Sequence, residues 1–555
     1  MALDHYHLAL ANFDKNYDIE GIRRLQELKI VPGKKGKDSK LFWKCIRPEP
    51  PTTKLIENEE DSDRNRDNSK HESHFTSSPN GLLRLKKAGP SSGWTLELTQ
   101  DVSPGTLCDL IMVEKPFTVS LVTRQTCYCY FCFKRCHNLI PCANCPHVGF
   151  CSHECRRKAK KRRYGVEEGN CHFFDCHGLR PYTCLNSCNK WNTGVDSIHA
   201  AFSSLSKVPP NCLLDYICSK AQYECGSGHQ AFVGSKKVRD KPLMFYDTFD
   251  YSSIAWLSTC SDARRDEDLW AQTVIAVFLT YCLHYIWFRR NRYIFLCHFQ
   301  LGGYPMTWFD ETALFFQDPS PSNRPWKIPA SWLAACMLFH IQMISVNSFE
   351  FSEHFFRLSK NPKSFGICIY PTISLINHSC VPTAAVSWVD KGTLLVYSLQ
   401  SLSAGSEISI SYGPLIYDST PKERQDYFQK DYFFKCKCEA CSNNWDELFQ
   451  QSERLKCPDC SCIFDESSDC CPECKSERAK ESYKLLLDEQ IPMLKGILLK
   501  ENCTLGDLSR ASECVKKAEA FLQLPSLVLF NVRNLFGLLV TMLYGNRVYE
   551  PWLTN

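Results

Sequence analysis

The chain has 555 residues, with 65 Lys and Arg against 61 Asp and Glu and a formal net charge of +4. That near-balance excludes wholesale electrostatic binding to nucleic acid or to a membrane surface. A 44% hydrophobic and 23% charged composition excludes a mainly disordered chain, and the length allows about three or four folding units.

The chain opens Met1-Ala2-Leu3-Asp4-His5, with no charged-then-apolar leader, and so does not read as secreted. Without an oxidising compartment, 34 cysteines are better explained by zinc and free thiols than by disulfides. Residues 1–56 read as a helical segment without chemistry. Residues 57–80 run from Glu57-Asn58-Glu59-Glu60-Asp61 to Ser78-Pro79 with little to bury, and read as a disordered acidic linker.

Cysteine spacing then dominates. The sequence gives Cys129-x2-Cys132, Cys142-x2-Cys145, Cys151-x3-Cys155 and His172-x3-Cys176. These are four chelate pairs, enough donors for two tetrahedral zinc ions. Cys127, Cys136 and Cys171 are neighbouring competitors. The run Arg156 to Arg163 is basic throughout apart from Ala159. It reads either as a nuclear-localisation or nucleic-acid patch or as the solvated face of a short helix.

Further along, Val274 to Phe288 is too short for a membrane span, contains His284, and runs into Arg289-Arg290, so a buried helix is expected. Trp332, Cys336, Phe339 and Met343 form an apolar helical stripe ending near Asn347. Short β-branched runs come next at 384–389, 393–397 and 407–412, separated by Gly392 and Ala404-Gly405; these read as strands joined by tight turns. Asn377-His378-Ser379-Cys380 lies just upstream of them and Cys436-x-Cys438-x2-Cys441 just downstream. Three thiols leave a tetrahedral site one donor short, and Cys380 supplies it if the strands fold back. Cys457-x2-Cys460 and Cys471-x2-Cys474 read as a small zinc ribbon with Cys462 and Cys470 spare, against a cysteine-rich loop. From Glu481 the chain reads helical, with no 34-residue repeat.

Asn377-His378-Ser379-Cys380-Val381-Pro382, Gly405 to Gly413 and the Cys-x-Cys-x2-Cys tail together resemble the SET domain of protein lysine methyltransferases. The eight-donor cluster resembles a MYND zinc finger, and the combination is similar to the SET and MYND domain-containing family over roughly residues 81–445. The resemblance implies an α+β chain: a SET strand fold split by the finger and a helical insert, then a post-SET zinc site and a helical C-terminal region. Its expected units are 81–126 (amino-terminal SET part), 127–176 (finger), 177–365 (helical insert), 366–415 (core SET), 416–445 (post-SET), 446–478 (ribbon) and 479–555 (helical domain).

The resemblance also implies S-adenosyl-L-methionine as cofactor, a protein substrate with a target lysine, and interleaved zinc ligation. Cys129, Cys132, Cys151 and Cys155 would hold one ion, and Cys142, Cys145, His172 and Cys176 another. Tyr412 matches the catalytic tyrosine. Tyr432 matches the channel wall and Phe434 a ring packed on cofactor. Asn347, Asn377, His378 and the Ser92-Gly93-Trp94 loop match cofactor-binding positions. Two departures stand out: Ser92 and Thr95 replace a basic residue and a glycine, and Pro382-Thr383 replaces Pro-Asn. A lysine amine of pKa ~10.4 is neutral in roughly one molecule in a thousand at pH 7, a cost of about 4 kcal/mol. A narrow aromatic channel beside a sulfonium lowers that cost.

Two readings remain open on these residues. One is a lysine methyltransferase of cytoplasm and nucleus, acting as a monomer without membrane or nucleic-acid partners. The other is a catalytically weak or inactive scaffold whose finger binds proline-rich or co-repressor (histone deacetylase-type) partners.

Overall fold

In the computed structural model the described residues are 74–79, 81–87, 93–105, 110–121, 128–136, 138–145, 148–160, 169–173, 176, 194–208, 245–255, 257–288, 314–317, 325–328, 330–353, 363–449, 451–499 and 503–545. The helical segment expected at 1–56, residues 57–73 and 80 of the expected linker, Ser92 and Cys127 lie outside them. Residues 74–79 depart from the expected disorder: His74–Phe75 pairs with Phe245–Tyr246, and Phe75 is buried.

The β-branched runs pair as expected from their alternation. Ala384–Trp388 is antiparallel to Leu394–Ser398, and Gly392 between them adopts φ 73. Leu110–Glu114, from far upstream, completes this sheet on the other edge of Leu394–Ser398. All five of its residues are buried, the apolar Leu110 to Val113 and, at its end, Glu114. A second sheet orders Phe349–Glu353, Lys363–Ile369 and Thr118–Ser120. Gly366 lies where a side chain would drive into the Ser120 carbonyl, 2.0 Å from an added Cβ, so only glycine permits this approach. Both sheets therefore draw one strand from before the cysteine finger and the rest from after it.

The third expected strand is shorter than the 407–412 run. Only Ser409–Ile410 pairs with Asn377–His378, in parallel. Glu407 instead bridges Glu97, and the Ile408 N–H donates to the Leu96 carbonyl at 2.9 Å. The segment changes partner midway because the hairpin Leu83–Lys87/Trp94–Leu98 competes for its first residues.

Helices Val195–Ser206, Asp266–Phe288 and Ala330–Asn347 pack through Ile198, Phe202, Ile275, Leu279, Leu333 and Ile344 and share their core with Ile369. The Asp266–Phe288 helix buries Ile275, Leu279 and Leu283 but leaves Trp270 66% exposed, so it covers the layer with one face. The carboxy-terminal helices Leu505–Phe521 and Leu527–Tyr544 share one core with Leu395, Tyr397, Leu455 and Phe464. Leu527–Tyr544 is long and apolar enough to cross a membrane by length and composition, yet 72% of it is buried inside the fold. The Tyr397 hydroxyl donates to the Gly537 carbonyl at 3.1 Å and ties this helix to the sheet.

Candidate active site and metal centres

Four groups of metal-ligating side chains form among the described residues, with donor atoms in each group within 4.8 Å of one another. They are Cys129/Cys132/Cys151/Cys155, Cys142/Cys145/His172/Cys176, Cys380/Cys436/Cys438/Cys441 and Cys457/Cys460/Cys471/Cys474. A tetrahedron of zinc–sulfur bonds of ~2.3 Å has edges of ~3.8 Å. The Cys132–Cys151, Cys151–Cys155, Cys142–Cys176 and Cys380–Cys441 sulfurs stand 3.6 Å apart, and Cys380–Cys436 3.8 Å, so the donor sets fit such an ion. His172 Nε2 lies 3.3 Å from Cys145 Sγ, while Cys171 packs against the helical core instead of joining the cluster. Cys136 donates to the Asn138 carbonyl and stays outside both finger groups. No disulfide joins any of the described cysteines. Helix His153–Lys160 carries the first part of the basic run on its solvent side, where Arg157 and Lys158 pair with Glu154 and only Ala159 is buried. Lys161 to Arg163 would continue it but lie outside the described residues.

Beside the third cluster the parallel pairing of Asn377–His378 with Ser409–Ile410 brings two distant segments together. The Tyr412 N–H donates to His378 Nδ1 at 3.1 Å, which makes that nitrogen the acceptor. Burial lowers the His378 pKa to about 4, which keeps the ring neutral. The Tyr412 hydroxyl donates to the Ile376 carbonyl at 2.5 Å. Burial pushes the Tyr412 pKa well up, so the phenol keeps its proton. The rings of Tyr432 and Phe434 lie 5.1 and 6.4 Å from that of Tyr412, and Phe428 stacks on Phe434 at 5.4 Å. The Tyr432 hydroxyl donates to the Tyr412 carbonyl at 3.0 Å.

Of the remaining expected positions, Ser92 lies outside the described residues, and Asn377 meets the Trp94 segment. Asn377 Nδ2 is 3.3 Å from both the Trp94 carbonyl and Glu407 Oε1, and Thr95 donates to that same oxygen at 2.5 Å. Asn347, at the end of its helix, donates to the Ser258 and Met343 carbonyls, and its own carbonyl accepts from Ser374. Gly93 is exposed, and a side chain added there would meet nothing within 4 Å. Thr383, the departure from Pro-Asn, accepts the Ser409 N–H at 2.9 Å, so its hydroxyl binds the crossing strand.

Several residues of the site carry no sequence signal. Phe433 sits between Tyr432 and Phe434 at φ 62. From that left-handed position its own ring packs under the Arg264 guanidinium, 4.8 Å from the ring centre. Arg264 also donates to the Thr259 and Gln342 carbonyls and to Ser345 Oγ, at 2.6–3.1 Å. A cavity of about 740 Å³ adjoins this clamp, lined in part by Ser345, Tyr432 and Phe433. Arg424 is fully buried and forks onto Asp446 at 2.7 and 2.8 Å, bracing the capped helix Pro421–Asp431 against the short helix Trp445–Leu448. Glu114, also fully buried, accepts the N–H groups of Thr372 and Ile373 and the Thr248 hydroxyl, and so fixes the turn that leads into Asn377.

Comparison with known proteins agrees with this geometry. Residues 235–413 match the SET domain family model. The chain is similar to N-lysine methyltransferase SMYD2 of Homo sapiens, 38% identical over 78 residues, which is 14% of this chain and 17% of that protein. It is similar to N-lysine methyltransferase SMYD2-B of Xenopus laevis, 32% identical over 109 residues, 20% of this chain and 23% of the relative. It is also similar to histone-lysine N-methyltransferase ASHR1 of Arabidopsis thaliana, 29% identical over 167 residues, 27% of this chain and 34% of the relative. The chain thus spans about a third or less of the length of these relatives. The Asn377-His378 pair and Tyr412 fall inside the segment that matches the SET domain model.

Proposed function

We propose that the chain is an S-adenosyl-L-methionine-dependent protein-lysine N-methyltransferase of the SET and MYND type. Its substrate would be a histone or non-histone protein with an accessible lysine. The observation that carries the reading is the convergence of Asn377-His378 and Tyr412, inside the segment that matches the SET domain, with the Tyr432/Phe434 pair from just beyond that segment.

When bound, the cofactor supplies an electrophilic methyl group on a sulfonium. Asn347 and Asn377 would hold it by their amides, with Gly93 and Trp94 and the Phe434 ring alongside. The aromatic faces of Tyr412 and Tyr432 desolvate an entering ammonium and favour its neutral form. Tyr412 keeps its proton and its hydroxyl stays anchored on the Ile376 carbonyl, which fixes the oxygen as an acceptor toward the polarised methyl. The role is positioning and water exclusion, with no covalent intermediate. Metal in the finger and post-SET clusters would hold the walls. Ligation of Cys380 beside His378, and of Cys436 and Cys438 just after Phe434, would fasten both ends of the chamber.

Calorimetric titration with S-adenosylmethionine tests the reading. Binding should be lost in Asn377→Ala and retained in Tyr412→Phe, while transfer to protein lysine is lost in both. No binding to native, metal-replete protein would refute it and leave a scaffold.

A further inference from the structure

We propose that Cys457, Cys460, Cys471 and Cys474 form a structural zinc site whose role is to clasp the carboxy-terminal helices to the SET sheet. The backbone geometry carries this further than the spacing does. The Cys457 N–H donates to the Cys462 carbonyl at 2.8 Å, and the Ser461 N–H returns to the Cys457 carbonyl at 2.9 Å. Fourteen residues on, the pattern repeats: Cys471 N–H to the Ser476 carbonyl at 2.9 Å, Lys475 N–H to the Cys471 carbonyl at 3.0 Å. In both turns the residue after the second cysteine is left-handed, Ser461 at φ 62 and Lys475 at φ 61.

The same turn opens the finger. Cys129 N–H donates to the Lys134 carbonyl, Phe133 N–H to the Cys129 carbonyl, and Phe133 has φ 60. A non-glycine residue in that region costs about a kcal/mol or more, and three such residues at one position of one turn need a common cause. A Cys-x2-Cys turn aiming both sulfurs at one ion is such a cause. The two knuckles face each other, with Cys457–Cys474 sulfurs 3.4 Å and Cys460–Cys471 sulfurs 3.5 Å apart. Cys462 lies outside the group, with its thiol directed to the Ile463 carbonyl.

The ribbon is joined to the carboxy-terminal helices. Arg454–Lys456 pairs with Ile463–Asp465, Leu455 bridges Leu522, and the Gln523 N–H donates to the Arg454 carbonyl at 3.0 Å. Glu453, at the ribbon's entrance, accepts the Val528 N–H at 2.9 Å in the first turn of helix Leu527–Tyr544. Leu455, Cys457, Phe464 and Cys471 belong to the same core as Leu395, Tyr397, Val532 and Phe536. An ion that fixes the two knuckles therefore fixes the edge on which the last helix starts.

Zinc should be counted on the full native chain by mass spectrometry, beside Cys460→Ser/Cys474→Ser and Cys462→Ser/Cys470→Ser. Cys460 and Cys474 are exposed, so their replacement spares the core packing. The expected result is loss of one zinc equivalent in the first variant only, with faster hydrogen exchange at 522–530 and unchanged exchange at 129–155. Cobalt loading of the first variant, read by thiolate-to-metal absorption against the native chain, should fall by the same share. An unchanged zinc count in the first variant, or a native mass and thiol titration showing these cysteines paired as disulfides, would overturn the proposal. The count is independent of cofactor binding, so it stands or falls apart from the methyltransferase reading.

Discussion

Replacing Glu114 by Gln probes the buried link between the sheet and the Asn377 turn. Burial raises the Glu114 pKa from an ordinary 4.5 to about 7, against the opposing pull of the Ile373 and Thr372 N–H groups. The folded state therefore holds this proton more tightly than the unfolded chain does. Stability from this group is complete below pH 4.5 and is lost as pH rises through about 7. A shift of that size corresponds to about 3 kcal/mol across the window. Gln keeps one carbonyl for the Thr372 and Ile373 donors, and its amide can donate to Thr248, so the fold should survive. Urea unfolding at steps from pH 5 to pH 8 measures the effect. Wild type should lose more stability than Glu114→Gln across that range, with the two curves converging toward the acid end. Parallel curves would refute a titrating Glu114.

Other perturbations reach the chamber and its supports. Tyr412→Phe should lower kcat at least tenfold, about 1.4 kcal/mol of barrier, with cofactor affinity little changed in calorimetry. Arg264→Lys cannot reproduce the fork onto Thr259, Gln342 and Ser345 or the stacking on Phe433, and should raise the KM for cofactor or substrate severalfold with the fold intact by circular dichroism. Asp446→Ala strands the Arg424 guanidinium, whose side chain has no exposure, and should cost about 3–5 kcal/mol in chemical denaturation. Cys380→Ser should release the metal of the post-SET cluster and loosen exchange across 432–441, while zinc in the finger is retained.

Much of the site was legible because its chemistry is written in short-range spacing. Chelate pairs two or three residues apart announce a shared ion wherever the chain goes, and the sixteen metal-ligand candidates read from the sequence gather into four groups. The strands at 384–388 and 394–398 likewise arise from local alternation and a glycine turn. What stayed hidden depends on residues far apart in sequence. Glu114, Arg264 and Arg424 look like ordinary surface charges in one dimension, and only burial beside Thr372, Phe433 and Asp446 gives each its role. The shortened 409–410 strand was illegible because its upstream residues are claimed by the 94–98 hairpin.

Hydrogen exchange of the native chain with and without S-adenosylmethionine tests the convergence most directly. The account predicts slowed exchange together at 93–97, 345–349, 376–380, 410–413 and 432–436, with the ribbon at 454–476 unchanged. Protection absent from the 376–380 and 410–413 segments at saturating cofactor would contradict it.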